Sequence, residues 1–174
     1  MKVRINRAPV LTLWATVVAE RLGFDHDEAL TLGRTLAGLN AYSKGKALGL
    51  FKPTPESVKA ERRKKAKAAG VFEAALMHRA VPVQRTKDGL RAVAKGKPID
   101  PAAVTRYLEG KFGEALGEVS AAMIDLAQSR DAEDLATEAF ALYEQFRPAV
   151  PAGERGWGAK GELDLRKLRA LSGR

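Results

Sequence analysis

Apolar residues recur at three- and four-residue spacing near the start of the chain, as in helices that bury one face. Val10, Leu13, Trp14, Val17, Val18 and Leu22 form such a stripe. They predict a helix over residues 8–22 with Pro9 in its first turn, where a missing N–H costs nothing. Gly23 ends that helix, and Asp25 caps a second one reaching about Tyr42, with Glu28 in capping-box position. On the second helix Ala29, Gly33 and Ala37 lie four apart, which leaves room for another helix to approach closely. Leu32, Leu36 and Leu39 add bulk beside that strip.

Beyond the hinge "SKGKALGLFKPTP" the periodicity disappears. The next helix, "PESVKAERRKKAKAAG", has Val58 and alanines but no apolar stripe, so it either lies on the surface or is held by a partner. Val81 and Val83 then alternate at strand spacing. With the turn pair Asp88-Gly89 and with Leu90 and Val93 beyond it, they predict one short β-hairpin, whose Pro82 places the first strand at a sheet edge. Asp100 and Pro101 open a helical pattern of more than 20 residues through Val104, Leu108, Phe112, Leu116, Val119, Met123 and Leu126. Gly110, Gly113 and Gly117 interrupt it and call for a kink, a break or a close helix contact. Residues 131–146 form a further helix, and after a Gly/Pro-rich loop the stripe Leu165, Leu168 and Leu171 marks a short tail helix. The fold class this predicts is mainly α: about six helices with one short β-hairpin. Its two parts are residues 1–97 (helical hairpin, basic helix, β-hairpin) and 98–174 (acidic helical body), unless they form one compact domain.

The stretch "VVAERLGFDHDEALTLGR", within residues 15–35, resembles the generic helix-turn-helix pattern. Ala19 stands at the small crossing position and Gly23 in the turn, while Val18, Leu22 and Phe24 flank it and Ala29 and Leu32 face inward. The resemblance implies a winged-helix-like unit with the hairpin as wing. The residues themselves argue against DNA reading through this helix. Its first turn is "DHDE", and Asp25, Asp27 and Glu28 would face an anionic duplex, with Arg34 alone as a cation farther on. A helical hairpin that supports the core is the alternative.

Charge moves attention elsewhere. The net charge is +9. Residues 52–97 hold 13 basic and 4 acidic side chains, whereas residues 98–147 hold 4 basic and 10 acidic ones. Lys59, Arg62, Arg63, Lys64, Lys65 and Lys67 cluster within one helix, and Arg85, Lys87 and Arg91, with Arg79, Lys95 and Lys97, extend the patch over the hairpin. Clustered cations of this kind contact phosphates without reading sequence. Phe51 and Phe72, at the ends of the basic segment, are its only nearby aromatics, which argues against a base-stacking platform.

Enzymatic signatures are missing. The chain has no Cys, which excludes disulfides, thiolate catalysis and Cys-ligated zinc and fits a cytoplasmic location. His26 and His78 fall in different elements with no second ligand nearby, so no metal and no cofactor is expected. "GERGWGAKG" brings Arg155 and Lys160 among glycines but fails the Walker spacing. Glu114 with Glu118, and Asp134 with Glu138, share helix faces without any apolar surround to shift them. No apolar run is long enough to span a membrane, and no signal peptide is read. The sequence therefore points first to a small cytoplasmic, non-enzymatic protein that binds nucleic acid. The alternative is an interaction or scaffold protein, such as a homodimer joined through its basic and acidic parts. An enzyme of unknown class comes third.

Overall fold

The first helix is surrounded on every side. In the computed structural model, which describes residues 1–47, 55–153 and 159–173 (the backbone alone over 44–47), helix α1 (Arg7–Arg21) is buried continuously from Pro9 to Ala19. The stripe expected from its spacing is therefore only part of its contact surface. Thr12 and Thr16, its polar members, satisfy their hydroxyls by donating to the carbonyls of Ala8 (2.9 Å) and Thr12 (2.7 Å). Trp14 lies at the centre, with no exposed surface. Its indole N–H donates to Ala139 O at 2.8 Å, and Phe146 meets its ring edge to face at 5.3 Å.

Helix α2 (His26–Ala47) returns alongside α1. A Cβ on Gly33 would lie 2.5 Å from Thr16 Oγ1 and 2.6 Å from Thr12 O. The contact falls ten residues after Gly23 and seven to eleven before it, so the two helices run antiparallel along their length. A helix-turn-helix pair instead crosses steeply beside its turn. The winged-helix-like unit is thus corrected to a long αα-hairpin closed by Gly23 at φ +111°.

The fold class is corrected as well: the chain is mixed α and β, with two antiparallel sheets, rather than mainly α with one hairpin. A four-stranded sheet in the order β2-β3-β4-β5 is built from Val71–Leu76, Arg79–Thr86, Gly89–Ala94 and Lys97–Pro98. A two-stranded sheet pairs β1 (Lys2–Asn6) with β6 (Lys160–Asp164). The strands missed by periodicity lack its usual cues. "VFEAAL" of β2 is made largely of good helix formers. The β2–β3 turn has no glycine or asparagine: Met77 and His78 themselves adopt left-handed φ values of 49° and 65°. Such a turn is unfavourable for these residues. It is held by burial of Met77 and by His78 Nε2 donating to Thr137 O at 2.9 Å. Strand β6 lies in what reads as a Gly-rich loop. There Gly161 lets the Ala149 carbonyl pass directly over the strand, and Ala149 and Glu162 exchange two 3.1 Å hydrogen bonds.

Strand β3 lies inside the sheet, which corrects the edge position expected from Pro82. The β3–β4 ladder stops at Val83↔Ala92, one residue short of Pro82, so no ladder bond there requires an N–H from the proline. The long helical pattern after Asp100 breaks at Gly113 (φ +57°) into α4 (Pro101–Phe112), a 3-10 turn and α5 (Leu116–Gln128). Helices α6 (Ala132–Phe146) and α7 (Leu165–Leu171) complete the order. One cluster of buried side chains, from Ile5 through Val81 and Met123 to Leu168, draws on residues both before and after 97.

Helix α2 also closes the stretch of β4 that the two-residue β5 does not reach. Glu28 Oε2 accepts from Leu90 N at 2.9 Å and Thr31 Oγ1 from Ala92 N at 2.9 Å, while Glu28 Oε1 accepts from Asp25 N at 3.1 Å. One carboxylate thus serves both the helix start and the sheet edge.

Two predictions follow from these contacts. Gly33→Ala is expected to lose about 1–3 kcal/mol by forcing the helices apart. Gly38→Ala, whose Cβ meets nothing within 4 Å, gains up to about 1 kcal/mol of helix propensity; denaturant titration of both variants checks the pair. Glu28→Ala is expected to cost about 1–3 kcal/mol by orphaning backbone donors, with hydrogen-exchange protection lost first at Leu90.

Candidate nucleic-acid interface

Helix α3 (Glu56–Ala68) carries most of the basic cluster and has no buried residue. It forms for local reasons. Glu56 stands in its first turn and Lys65 and Lys67 in its last, each complementing the helix dipole. Glu56 lies 3.8 Å from both Lys59 and Arg63, and Glu61 4.0 Å from Lys65. These exposed pairs are weak, and carboxylates on the same helix offset part of its charge. Among the described residues no carboxylate lies within 4.0 Å of Arg62, Lys64 or Lys67. Nor do the carboxylates of α4–α6 pair with any cation of α3; Glu118 and Glu138 instead pair with Arg169 (3.7 Å) and Arg130 (3.5 Å).

The remaining sequence-predicted cations divide. Arg85, on β3, extends the α3 surface: it is exposed, and its guanidinium lies 5.5 Å from the centre of the Phe72 ring. Lys87 stands in the β3–β4 turn at the same end of the sheet. Arg91 turns inward, its side chain only 10% exposed. It donates to the carbonyls of Leu90 (2.9 Å) and Asp88 (3.3 Å) and lies 4.0 Å from Asp27, so it organises the hairpin turn against α2. Arg79 is also structural, donating to Ser43 Oγ (3.1 Å) and Asn40 Oδ1 (3.2 Å) on α2. Lys95 and Lys97 flank the β4–β5 turn at the opposite end of the sheet. Of the patch expected from the sequence, the exposed cations at the end of the sheet where α3 enters it are those of α3, Arg85 and Lys87.

Two of the three carboxylates of "DHDE" have structural partners. Glu28 holds β4 and the start of α2, and Asp27 faces Arg91. Arg34 is stacked 4.2 Å over the ring of Tyr107 on α4, where burial raises the phenol pKa and the nearby guanidinium partly offsets it. Asp25, His26 and Asp27 stay exposed at this end of α2, so the face it offers to solvent is largely acidic.

Other candidate chemistry stays dispersed. An open cleft of about 970 Å³ between the β3–β4 turn and α4 mixes Lys87, Arg91 and Arg106 with Asp27, Asp88, Asp100 and Glu109, so neither sign of charge dominates it. Asp134 has a raised pKa, first because the Asp131 carboxylate is adjacent and then through desolvation, but it stands on the surface, outside any cleft that would bring a substrate to it. His26 Nδ1 pairs with Glu20 on the surface. Among the described residues no group of three His, Asp or Glu side chains is placed to hold a metal, and no helix is long and apolar enough to cross a membrane. Phe51 and the Arg155 part of the glycine-rich loop lie outside the described residues.

The inward position of Arg91 yields a test that separates it from the surface cations. Arg91→Gln is expected to lower stability by about 1 kcal/mol through lost, partly buried hydrogen bonds while leaving affinity for a polyanion unchanged; thermal unfolding and filter binding measure the two effects. No protein-family model, curated protein or solved structure matches the chain.

Proposed function

We propose that this chain is a non-enzymatic nucleic-acid-binding protein that contacts the phosphate backbone through α3, Arg85 and Lys87. The observation that carries the reading is α3 itself, a 13-residue helix with no buried residue that presents Lys59, Arg62, Arg63, Lys64, Lys65 and Lys67 around its circumference. Such a helix contributes almost nothing to the core. Like charges crowded onto it also disfavour it when it stands alone. A polyanion relieves that repulsion, and counterion release from the polyanion supplies the binding free energy.

The core packing supports a binding role over catalysis. Glu28 at the start of α2 and Arg91 at the hairpin are engaged in holding elements together. Contact through α3 involves backbone charge alone, so this surface is sequence-blind.

A gel-shift series with a generic duplex at about 50 and about 200 mM salt tests the proposal. With four to six phosphates neutralised, affinity is expected to fall by roughly two to three orders of magnitude between the two conditions. Charge reversal at Arg62, Arg63, Lys64 and Lys65 to Glu is expected to abolish the shift while leaving the thermal unfolding curve in place. Absence of any shift at low salt refutes the reading, and salt-dependent self-association without nucleic acid would instead assign α3 to the acidic surface of a second copy.

A further inference from the structure

Phosphate contact leaves one part of this surface unused. Phe72, the second residue of β2, is 42% exposed and is the one exposed aromatic side chain among the described residues. Its surroundings set it apart from the scattered apolar residues found on any protein surface. The register places Phe72 opposite Val83, which makes Arg85 its diagonal neighbour on the same sheet face. The Arg85 guanidinium sits 5.5 Å from the ring centre, within cation–π range. The last turn of α3, with Lys65 and Lys67, enters β2 through Ala69 and Gly70. Gln84 Nε2 donates to Ala69 O at 2.7 Å and ties the helix end to the strand that carries Arg85. An aromatic ring, a guanidinium plane and two lysines thus converge at one end of the sheet, with Lys87 in the adjoining turn.

Duplex bases are already stacked on one another and offer no free face to a ring at the protein surface. Unpaired bases do, and stacking on an aromatic side chain tolerates any base because each has a π-face. We infer that this end of the sheet binds single-stranded nucleic acid, with one base stacked on Phe72 beside Arg85 and the flanking phosphates held by Lys65, Lys67 and Lys87. The inference rests on the nucleic-acid reading above and narrows its substrate class.

The test uses the full chain and fluorescence anisotropy with three labelled probes of equal length: oligo-uridine RNA, its deoxyuridine counterpart and a duplex. Phe72→Ala is expected to weaken binding to a single strand about tenfold, the effect of losing one stacked base, while duplex affinity and its salt slope stay unchanged. Phe72→Trp is expected to retain single-strand affinity and to show quenched indole fluorescence with a single strand but not with duplex. Tight binding of either the RNA or the DNA strand supports the inference. Loss of equal size for single strand and duplex, or an unaltered Phe72→Ala affinity together with an unquenched Phe72→Trp, overturns it while leaving backbone binding intact. Wild-type protein that binds no probe at low salt overturns both readings. Because Phe72 is exposed, Phe72→Ala is expected to unfold at the wild-type temperature; if it does not, the Phe72→Trp quench decides the matter.

Discussion

Close contact between α1 and α2 at Gly33 is the constraint on which the remaining architecture depends. With no side chain at that position, the backbone of α2 reaches Thr12 and Thr16 and closes one whole side of α1. Helices α4, α5 and α6 then pack on the other sides of α1, and Trp14 is sealed against α6. A buried helix of this kind must satisfy its own polar groups. The threonines do so by bonding back into the helix, which keeps their hydroxyls out of the apolar packing.

The same helix pair determines what the charged residues can do. Once α2 is pinned along α1, its first turn lies beside β4, where the backbone donors of Leu90 and Ala92 need acceptors. Glu28 and Thr31 supply them, and Asp27 faces the buried end of Arg91. Carboxylates that look hostile to DNA are therefore bonds between a helix and a sheet edge. Unsatisfied N–H groups along a strand invite pairing with another chain, and these side chains close the part of β4 that the short β5 leaves open.

Helix α3 stands outside this arrangement. It is tethered where Ala69 accepts from Gln84, and its sides face solvent. Its order comes from dipole-matched charges and from Glu56 and Glu61, which are weak terms beside burial. A segment so little committed to the core is free to commit to a ligand. Among the described residues Glu118 and Glu138 of the acidic helices pair with Arg169 and Arg130 rather than with α3.

Local spacing was enough to place the α1–α2 hairpin, its Gly23 turn, the cap at Asp100, the tail stripe of Leu165 and Leu168, and the basic helix, because each rests on contacts or backbone preferences within a few residues. Glu28 was legible as a helix-start residue for the same reason. Strands β1 and β6 were not, since five residues with one buried position in β1 and two in β6 carry little periodic signal, and their pairing joins opposite ends of the chain. Nor was β2, whose alanines favour a helix until β3 offers a ladder. The fate of the basic residues depended on how the sheet and α2 assemble around them. Arg85, Arg91 and Arg79 are chemically alike in sequence, yet one stacks on Phe72 at the surface, one turns into the hairpin and one bonds α2. Composition and local spacing decided which segments are helical and where positive charge is concentrated; only the long-range pairing of strands and helices decided which of those charges reach solvent, because burial belongs to the assembled elements and not to any residue alone.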